Sequence, residues 1–183
     1  PGPVDVSRSP FARLRTLPLG AVSLGGGFWG SRQEVNREET IPHVRQMLEE
    51  GGAFGRLRFA AGLTESAPER RDGSDPQVFK WLEGVSYELA RTPDGELAAL
   101  AGRTIDLIAA AQEADGYFNT FAPAHDAGSR WGDLAFSHEL YTAGHLFQAA
   151  VAHHRADSHA AKCFDCCNLA VIGIGHPHMV RQH

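Results

Sequence analysis

The chain has 183 residues, 43% of them hydrophobic and 21% charged, with a net charge of −5. That balance fits one globular domain able to bury on the order of 70% of its chain surface. It disfavours a nucleic-acid partner, because phosphate neutralisation needs a basic face. No apolar run is long enough to span a bilayer, so no membrane partner is expected and a cytoplasmic location is. The chain starts PGPVDVSRSP, without Met and without an apolar signal core, so the native start and any export signal are expected upstream.

Residues 1–27 are rich in Pro and Gly and run into LGGGFWG, which predicts an extended N-terminal arm with a short strand at GAVSL, then a turn. No GxGxxG occurs, so these glycines do not form a dinucleotide loop. From about Arg32 to Glu50 the composition is helical. Ser31 is the predicted N-cap, and Pro42 predicts a kink or break. The character changes at residue 51, and GLTESAPERRDGSDP predicts a loop by its Gly, Pro, Ser and Asp content.

Amphipathic helices follow. In VFKWLEGVSYELAR, Val78, Trp81, Leu82, Val85 and Leu89 recur at helical spacing. In PDGELAALAGRTIDLIAAAQEADG, Leu97, Leu100, Ala101, Ile105, Ile108 and Ala111 do the same, with Asp115-Gly116 as the predicted stop. A loop crosses to Ser137, the predicted N-cap of a last helix over about 138–155 with an apolar stripe at Leu140, Gly144, Phe147 and Val151. No confident strand pattern follows residue 30 and no solenoid repeat is present, so the expected fold class is an all-α layered domain of antiparallel helices.

The last helix opens HELYTAGH, which looks like the start of a zinc-protease box. That box needs His at i and i+4 so that both imidazoles reach one metal. Here i+4 is Thr142, and His145 lies seven residues after His138. Two turns separate them by about 10.5 Å of rise, too far for one tetrahedral zinc. His138, Tyr141 and His145 instead share one helix face. His138 is expected in the first turn, where free N–H groups and the positive helix end suit hydrogen bonding to ligand hydroxyls. The bland reading stays open beside it: a cap-region histidine and a surface or core histidine with satisfied hydrogen bonds. Glu139 and Glu83 offer a candidate acid and nucleophile pair, but Glu139 steps about 100° away from the His138 face.

Four blocks carry a resemblance: FWGSRQEVNREETIPH, KWLEGVSYELAR, IDLIAAAQEADGYFNT and RWGDLAFSHELYTAGHLFQAAVAHHRA. In this order and spacing they resemble the N-terminal half of glycoside hydrolase family 127, whose best-known members are β-L-arabinofuranosidases. The resemblance covers about residues 28–156 and implies a partial (α/α)6 barrel, an incomplete ring of about four long helices around a sugar-binding cavity. Family members carry β-sandwich domains after the barrel. It further implies a retaining glycosidase in which a zinc-held cysteine thiolate is the nucleophile, with a glutamate and other cysteines on the metal and a separate glutamate as acid/base. Zinc keeps such a thiolate deprotonated and nucleophilic at neutral pH. Those zinc ligands and catalytic residues are absent from this chain on the family pattern, so no catalytic or metal residue is assigned here.

The resemblance carries His138 over as a sugar-binding histidine. It also points to His176, in Gly175-His176-Pro177-His178, although this run comes early and His178 replaces the family's Glu. The family's Asp-Ser-Asp appears as Gly73-Ser74-Asp75, with Pro76 and Gln77 intruding before Val78, and the helix from Lys80 to Glu83 is read as structural.

After Ala156 the pattern stops, and residues 157–183 form an off-pattern tail. All three cysteines (Cys163, Cys166, Cys167) and four of the ten histidines (His159, His176, His178, His183) fall there. A disulfide framework is not expected from this usage. A local metal site at C-x-x-C spacing stands as one reading. A frameshifted or truncated end is the other, and it is favoured. The expectation is an inactive fragment of a glycoside hydrolase acting on L-arabinofuranosides, with carbohydrate as its partner. Self-association is expected through apolar helix faces that the rest of a barrel would cover. The alternatives are a non-catalytic helical carbohydrate-binding module using His138, Tyr141 and Trp131, and another α/α-barrel enzyme such as a sugar epimerase or lyase.

Overall fold

A helical spacing of apolar residues demands a partner surface, and the middle helix of the chain finds one on nearly every side. The computed structural model describes residues 6, 8–15, 17, 21–68, 75–120 and 130–156. Among them are helices α1 (Gly27–Val35), α2 (Ile41–Glu50), α3 (Ala53–Ala60), α4 (Asp75–Arg91), α5 (Gly95–Ala111), α6 (Leu134–Ser137) and α7 (Glu139–Ala156). No strand occurs among the described residues, so the strand predicted at GAVSL is absent from its described part.

Helix α4 is the centre of the packing. Val78, Phe79, Trp81, Leu82 and Val85 are buried, and Leu89 packs against their cluster. Burial this far around a helix marks one enclosed between layers. Helix α7 runs parallel to it: Lys80 Nζ donates to Tyr141 Oη near one end, and Ser86 Oγ lies 3.3 Å from His153 Nδ1 further along. Helices α1 and α2 run antiparallel to α4. Arg37 pairs with Glu88 and Asp94 past the middle of α4, while Trp81 Nε1 donates to the Ile41 carbonyl at 3.0 Å. Helix α5 returns after a short turn, capped by Asp94, whose carboxylate accepts from the N–H groups of Glu96 and Leu97 at 3.0 Å each. Its predicted face is correct: Ala101, Ile105, Ile108 and Ala111 are buried, with Leu97 and Leu100 packed beside them.

The structure revises several local expectations. Ser31 sits inside α1, whose N-cap is Gly26, with no side-chain capping bond. Pro42 neither breaks nor ends the path. A π-helical turn, Asn36–Thr40, precedes it and joins α1 to α2. Proline lacks an N–H and crowds the carbonyl one turn back, and the widened turn relieves both problems. Helix α3 was not foreseen, because its short AFGRLRFA segment shows too few turns for a period. Gly52, at φ 81, supplies the left-handed residue that lets α3 start immediately after α2. Helix α5 stops at Ala111, and Gly116 (φ 86) instead turns the chain after it, where Gln112 Nε2 donates to the Gly116 carbonyl at 2.7 Å.

The largest revision concerns α7. Its core face is Thr142, Leu146, Ala149 and Ala150, with Glu139 at its head. The predicted stripe lies elsewhere: Leu140 is 47% exposed, Gly144 and Val151 are half-buried, and Phe147 only edges the core. Small residues dominate the buried face of α7, where Thr142, Ala149 and Ala150 stand beside the single leucine Leu146 and let α7 approach α4 closely. Leu140 and Phe147 lie towards the open side of the layer. A further apolar groove, about 530 Å³ in volume, lies between α2 and α4 and is lined by Ile41, Val44, Met47, Leu48 and Trp81.

Candidate functional site

Because α4 and α7 are parallel, their N-terminal ends come together. The segment Tyr117–Thr120 crosses between them and is pinned at both ends by buried carboxylates. Asp75, at the head of α4, is 2% exposed. Its carboxylate accepts from the Thr120 backbone N–H at 2.7 Å and from Thr120 Oγ1 at 2.5 Å. Arg56 approaches the same hydroxyl with Nε at 3.4 Å. Burial pushes the Asp75 carboxyl above its ordinary range, against the pull of the Thr120 hydrogen bonds and the Arg56 charge.

Glu139, at the head of α7, is also 2% exposed. It accepts from Tyr117 Oη at 2.6 Å, from Ser137 Oγ at 2.6 Å, and from the Trp131 N–H, which lies 3.0 Å from each carboxylate oxygen. Burial and the adjacent Glu139 push the Tyr117 phenol well above its usual value, so it stays a donor at any ordinary pH. Between the two pins, Phe118 packs against Phe79 with centroids 5.4 Å apart, and Asn119 Nδ2 reaches the Ser137 carbonyl at 3.4 Å. Arg130 lies 4.2 Å over the Tyr117 ring and pairs with Glu113 and Asp115.

His138 stands between α6 and α7 in the left-handed region, at φ 54. It was expected in the first turn of α7. It instead precedes that turn, and its carbonyl accepts from the Thr142 N–H at 2.8 Å. Ser137 is therefore not the N-cap; it ends α6 and spends its hydroxyl on Glu139. The His138 ring is exposed and meets Tyr141 edge-on at 6.2 Å, and Tyr141 meets His145 at 4.5 Å. The predicted polar-aromatic face is thus real. Lys80 of α4 joins it, with Nζ 2.5 Å from Tyr141 Oη. Burial, then the Lys80 charge, pull the His145 imidazole below its ordinary range, while Glu83 and Gln148 pull the other way. A neutral His145 is the form favoured near neutral pH.

This face and the cluster beneath it gather His138, Tyr141, His145 and Lys80 around one helix end. His176 and the three cysteines lie outside the described residues. Among the described residues, no group of three or more His, Cys, Asp or Glu is placed to hold a metal ion. The described residues therefore do not fit a zinc centre, and no catalytic step is derived through one. Glu139 is committed to the donors Tyr117, Trp131 and Ser137. The sequence sets Glu139 aside as a catalytic acid and reads the Lys80 helix as structural, so neither the buried role of Glu139 nor the contact of Lys80 with Tyr141 was expected. The available signal was that Asp75 and Glu139 each open a helix on its core side, where a carboxylate survives only if donors meet it.

Two parallel helices backed by antiparallel ones, with histidine and tyrosine at the shared N-terminal end, define part of an all-helical layered domain. The chain belongs to glycoside hydrolase family 127: the family described as "Beta-L-arabinofuranosidase, GH127 catalytic domain" matches residues 21–167. The chain is 32% identical over 176 residues to the non-reducing end β-L-arabinofuranosidase of Bifidobacterium longum subsp. longum, covering 79% of this chain and 26% of that protein. The solved GH127 β-L-arabinofuranosidase from Geobacillus stearothermophilus T6 superposes with a TM-score of 0.75 at 36% identity, over 84% of this chain and 25% of that one. A second solved GH127 β-arabinofuranosidase gives a TM-score of 0.72 at 32% identity, over the same shares. The chain thus spans about a quarter of the length of these relatives. The expected all-α fold, a part of a helical barrel, is confirmed by these matches and by the helices themselves.

Proposed function

We propose that this chain forms part of the sugar-binding wall of a β-L-arabinofuranosidase, and that His138 meets the sugar. The observation that carries the reading is the position of His138: an exposed imidazole on a left-handed turn, at the joint N-terminal end of two packed parallel helices. Imidazole can donate from one nitrogen and accept at the other, which suits vicinal hydroxyls. Tyr141 and Lys80 offer an adjacent hydroxyl and ammonium. His176 is proposed as a second sugar-facing histidine by its Gly-His-Pro context alone. Hydrolysis in the whole protein is proposed to be retaining. Its cysteine nucleophile, zinc ligands and acid/base are proposed to lie outside this chain, which is inactive alone. A cytoplasmic location accompanies the proposal, supported by clustered cysteines in place of a spread disulfide framework.

The test pairs binding with turnover. The purified chain should not cleave an aryl β-L-arabinofuranoside but should bind L-arabinose saturably, and His138→Ala should weaken that binding by roughly tenfold or more. Unchanged affinity in His138→Ala removes the sugar role of this residue. Turnover by the chain itself refutes the assignment of catalysis to residues outside it. A second reading, a non-catalytic binding module, draws on the commitment of Asp75 and Glu139 to internal donors. Recovery of hydrolysis in a longer protein containing this chain, and its loss on His138→Ala, separates the two.

A further inference from the structure

Among the described residues, only two that are not glycine have positive φ: Trp131 at 63 and His138 at 54. Histidine enters this region more readily than most residues but tryptophan does not, so surrounding contacts must hold Trp131 there, and they fix His138 in one of the conformations open to it. One side chain touches both places. The Glu139 carboxylate bridges the Trp131 N–H with both oxygens, and Glu139 immediately follows His138 in the chain. The same carboxylate takes the hydroxyl of Ser137, on the other side of His138, and the phenol of Tyr117 from below. His138 is thus flanked by two residues bonded to each other across it. Strained backbone that persists because its surroundings over-determine it is characteristic of functional sites.

We infer that Glu139 is a positioning residue: its buried carboxylate fixes the left-handed backbone of His138 and Trp131 and so sets where the His138 imidazole stands. The inference rests on the proposed sugar role of His138 for its significance, but its geometry does not. The choice of a carboxylate has a chemical reason. All of its partners are donors, and the Trp131 backbone N–H cannot become anything else. A glutamine of the same length would keep one accepting oxygen and replace the other with an NH2 group. The hydroxyls of Tyr117 and Ser137 could rotate to accept from it. The Trp131 N–H could not, so one half of the bridge is lost while the rest is retained. Glu139→Gln is therefore a selective probe of positioning.

The experiment uses the whole chain, with wild type, Glu139→Gln and Tyr117→Phe compared by NMR, and with L-arabinose as the binding probe. The readouts are the Cα shifts and HN–Hα couplings of His138 and Trp131, helix content by circular dichroism, and L-arabinose affinity. Asp94→Ala serves as the control for general destabilisation, because it removes the cap of α5 away from this site. The expected result is native helix content in Glu139→Gln, with His138 and Trp131 moved off their left-handed signatures and L-arabinose bound roughly tenfold more weakly. Asp94→Ala should lower the melting temperature and leave both signatures in place. If Glu139→Gln leaves both signatures unchanged, the inference is overturned whatever the sugar data show. If Glu139→Gln does not fold, Tyr117→Phe decides: it should shift the His138 and Trp131 signatures in the same direction, and unchanged signatures overturn the inference. Should the signatures move while His138→Ala binds L-arabinose like wild type, positioning by Glu139 stands and the sugar reading of His138 falls.

Discussion

Removing one oxygen atom tests how much the cluster beneath the site contributes to stability. In Tyr117→Phe the ring remains, with its edge contact to Trp131 at 5.5 Å and its cover by Arg130. What disappears is the 2.6 Å hydrogen bond to Glu139, and the carboxylate is left buried with one donor fewer. A hydrogen bond to a charged acceptor contributes about 1.5–3 kcal/mol. The volume change is too small for a cavity term of that size. For a chain of this length each kcal/mol moves the melting temperature by about 2–4 °C, so a fall of about 3–12 °C is expected. Urea denaturation of Tyr117→Phe, Glu139→Ala and the double variant, with Glu139→Ala removing the acceptor altogether, closes a cycle that isolates the pair. A coupling energy below about 0.5 kcal/mol, the scatter of independent sites, refutes the reasoning. The pH dependence adds an independent check. The folded state holds the Tyr117 phenol above its unfolded value. Its contribution is therefore complete below pH of about 10 and is lost as pH rises beyond that. The alkaline loss should be shallower in Tyr117→Phe.

Acid stability should depend on Glu49. The Arg58 guanidinium, bonded to both its oxygens, with Arg45 beside it, holds its carboxyl down at about 2. The stability it confers is present above its unfolded value and is lost as pH falls from about 4.5 towards 2. Melting temperatures recorded from pH 5 to 2 should fall less steeply in Glu49→Gln than in wild type, and equal slopes contradict the assignment. A methyl group at Gly102, inside α5, would meet no atom within 4 Å. Gly102→Ala should therefore raise stability by about 0.5–1 kcal/mol through helix propensity, and a loss in urea melts would show that this face is occupied. Phe28, Trp29, Met47 and Leu140 are exposed together with the groove between α2 and α4. Light scattering over a hundredfold concentration range should show self-association of the chain, and a constant monomer mass would contradict it.

Periodicity alone determined most of the scaffold. Long helices bury a stripe, and the stripe is written every three or four residues, so the buried faces of α4 and α5 were legible while their ends were not. The family blocks added the ring to which those helices belong. Three features were decided elsewhere. Pro42 looked like a break, but a locally widened turn costs less than losing a helix that packs on Trp81. The apolar stripe of α7 pointed the wrong way, because its buried face is made mostly of small residues, Thr142, Ala149 and Ala150 beside Leu146, while Leu140 is left exposed. Glu139 stepped away from the His138 face in the sequence, with no partner in view. Only the folded chain brings Tyr117 and Trp131, distant in sequence, against it. The sequence by itself determined that the long segments of α2, α4, α5 and α7 are helical and that His138 stands at the head of α7. The tertiary structure decided which face of α7 is inside and what holds that histidine, because both depend on donors and surfaces that no local window contains.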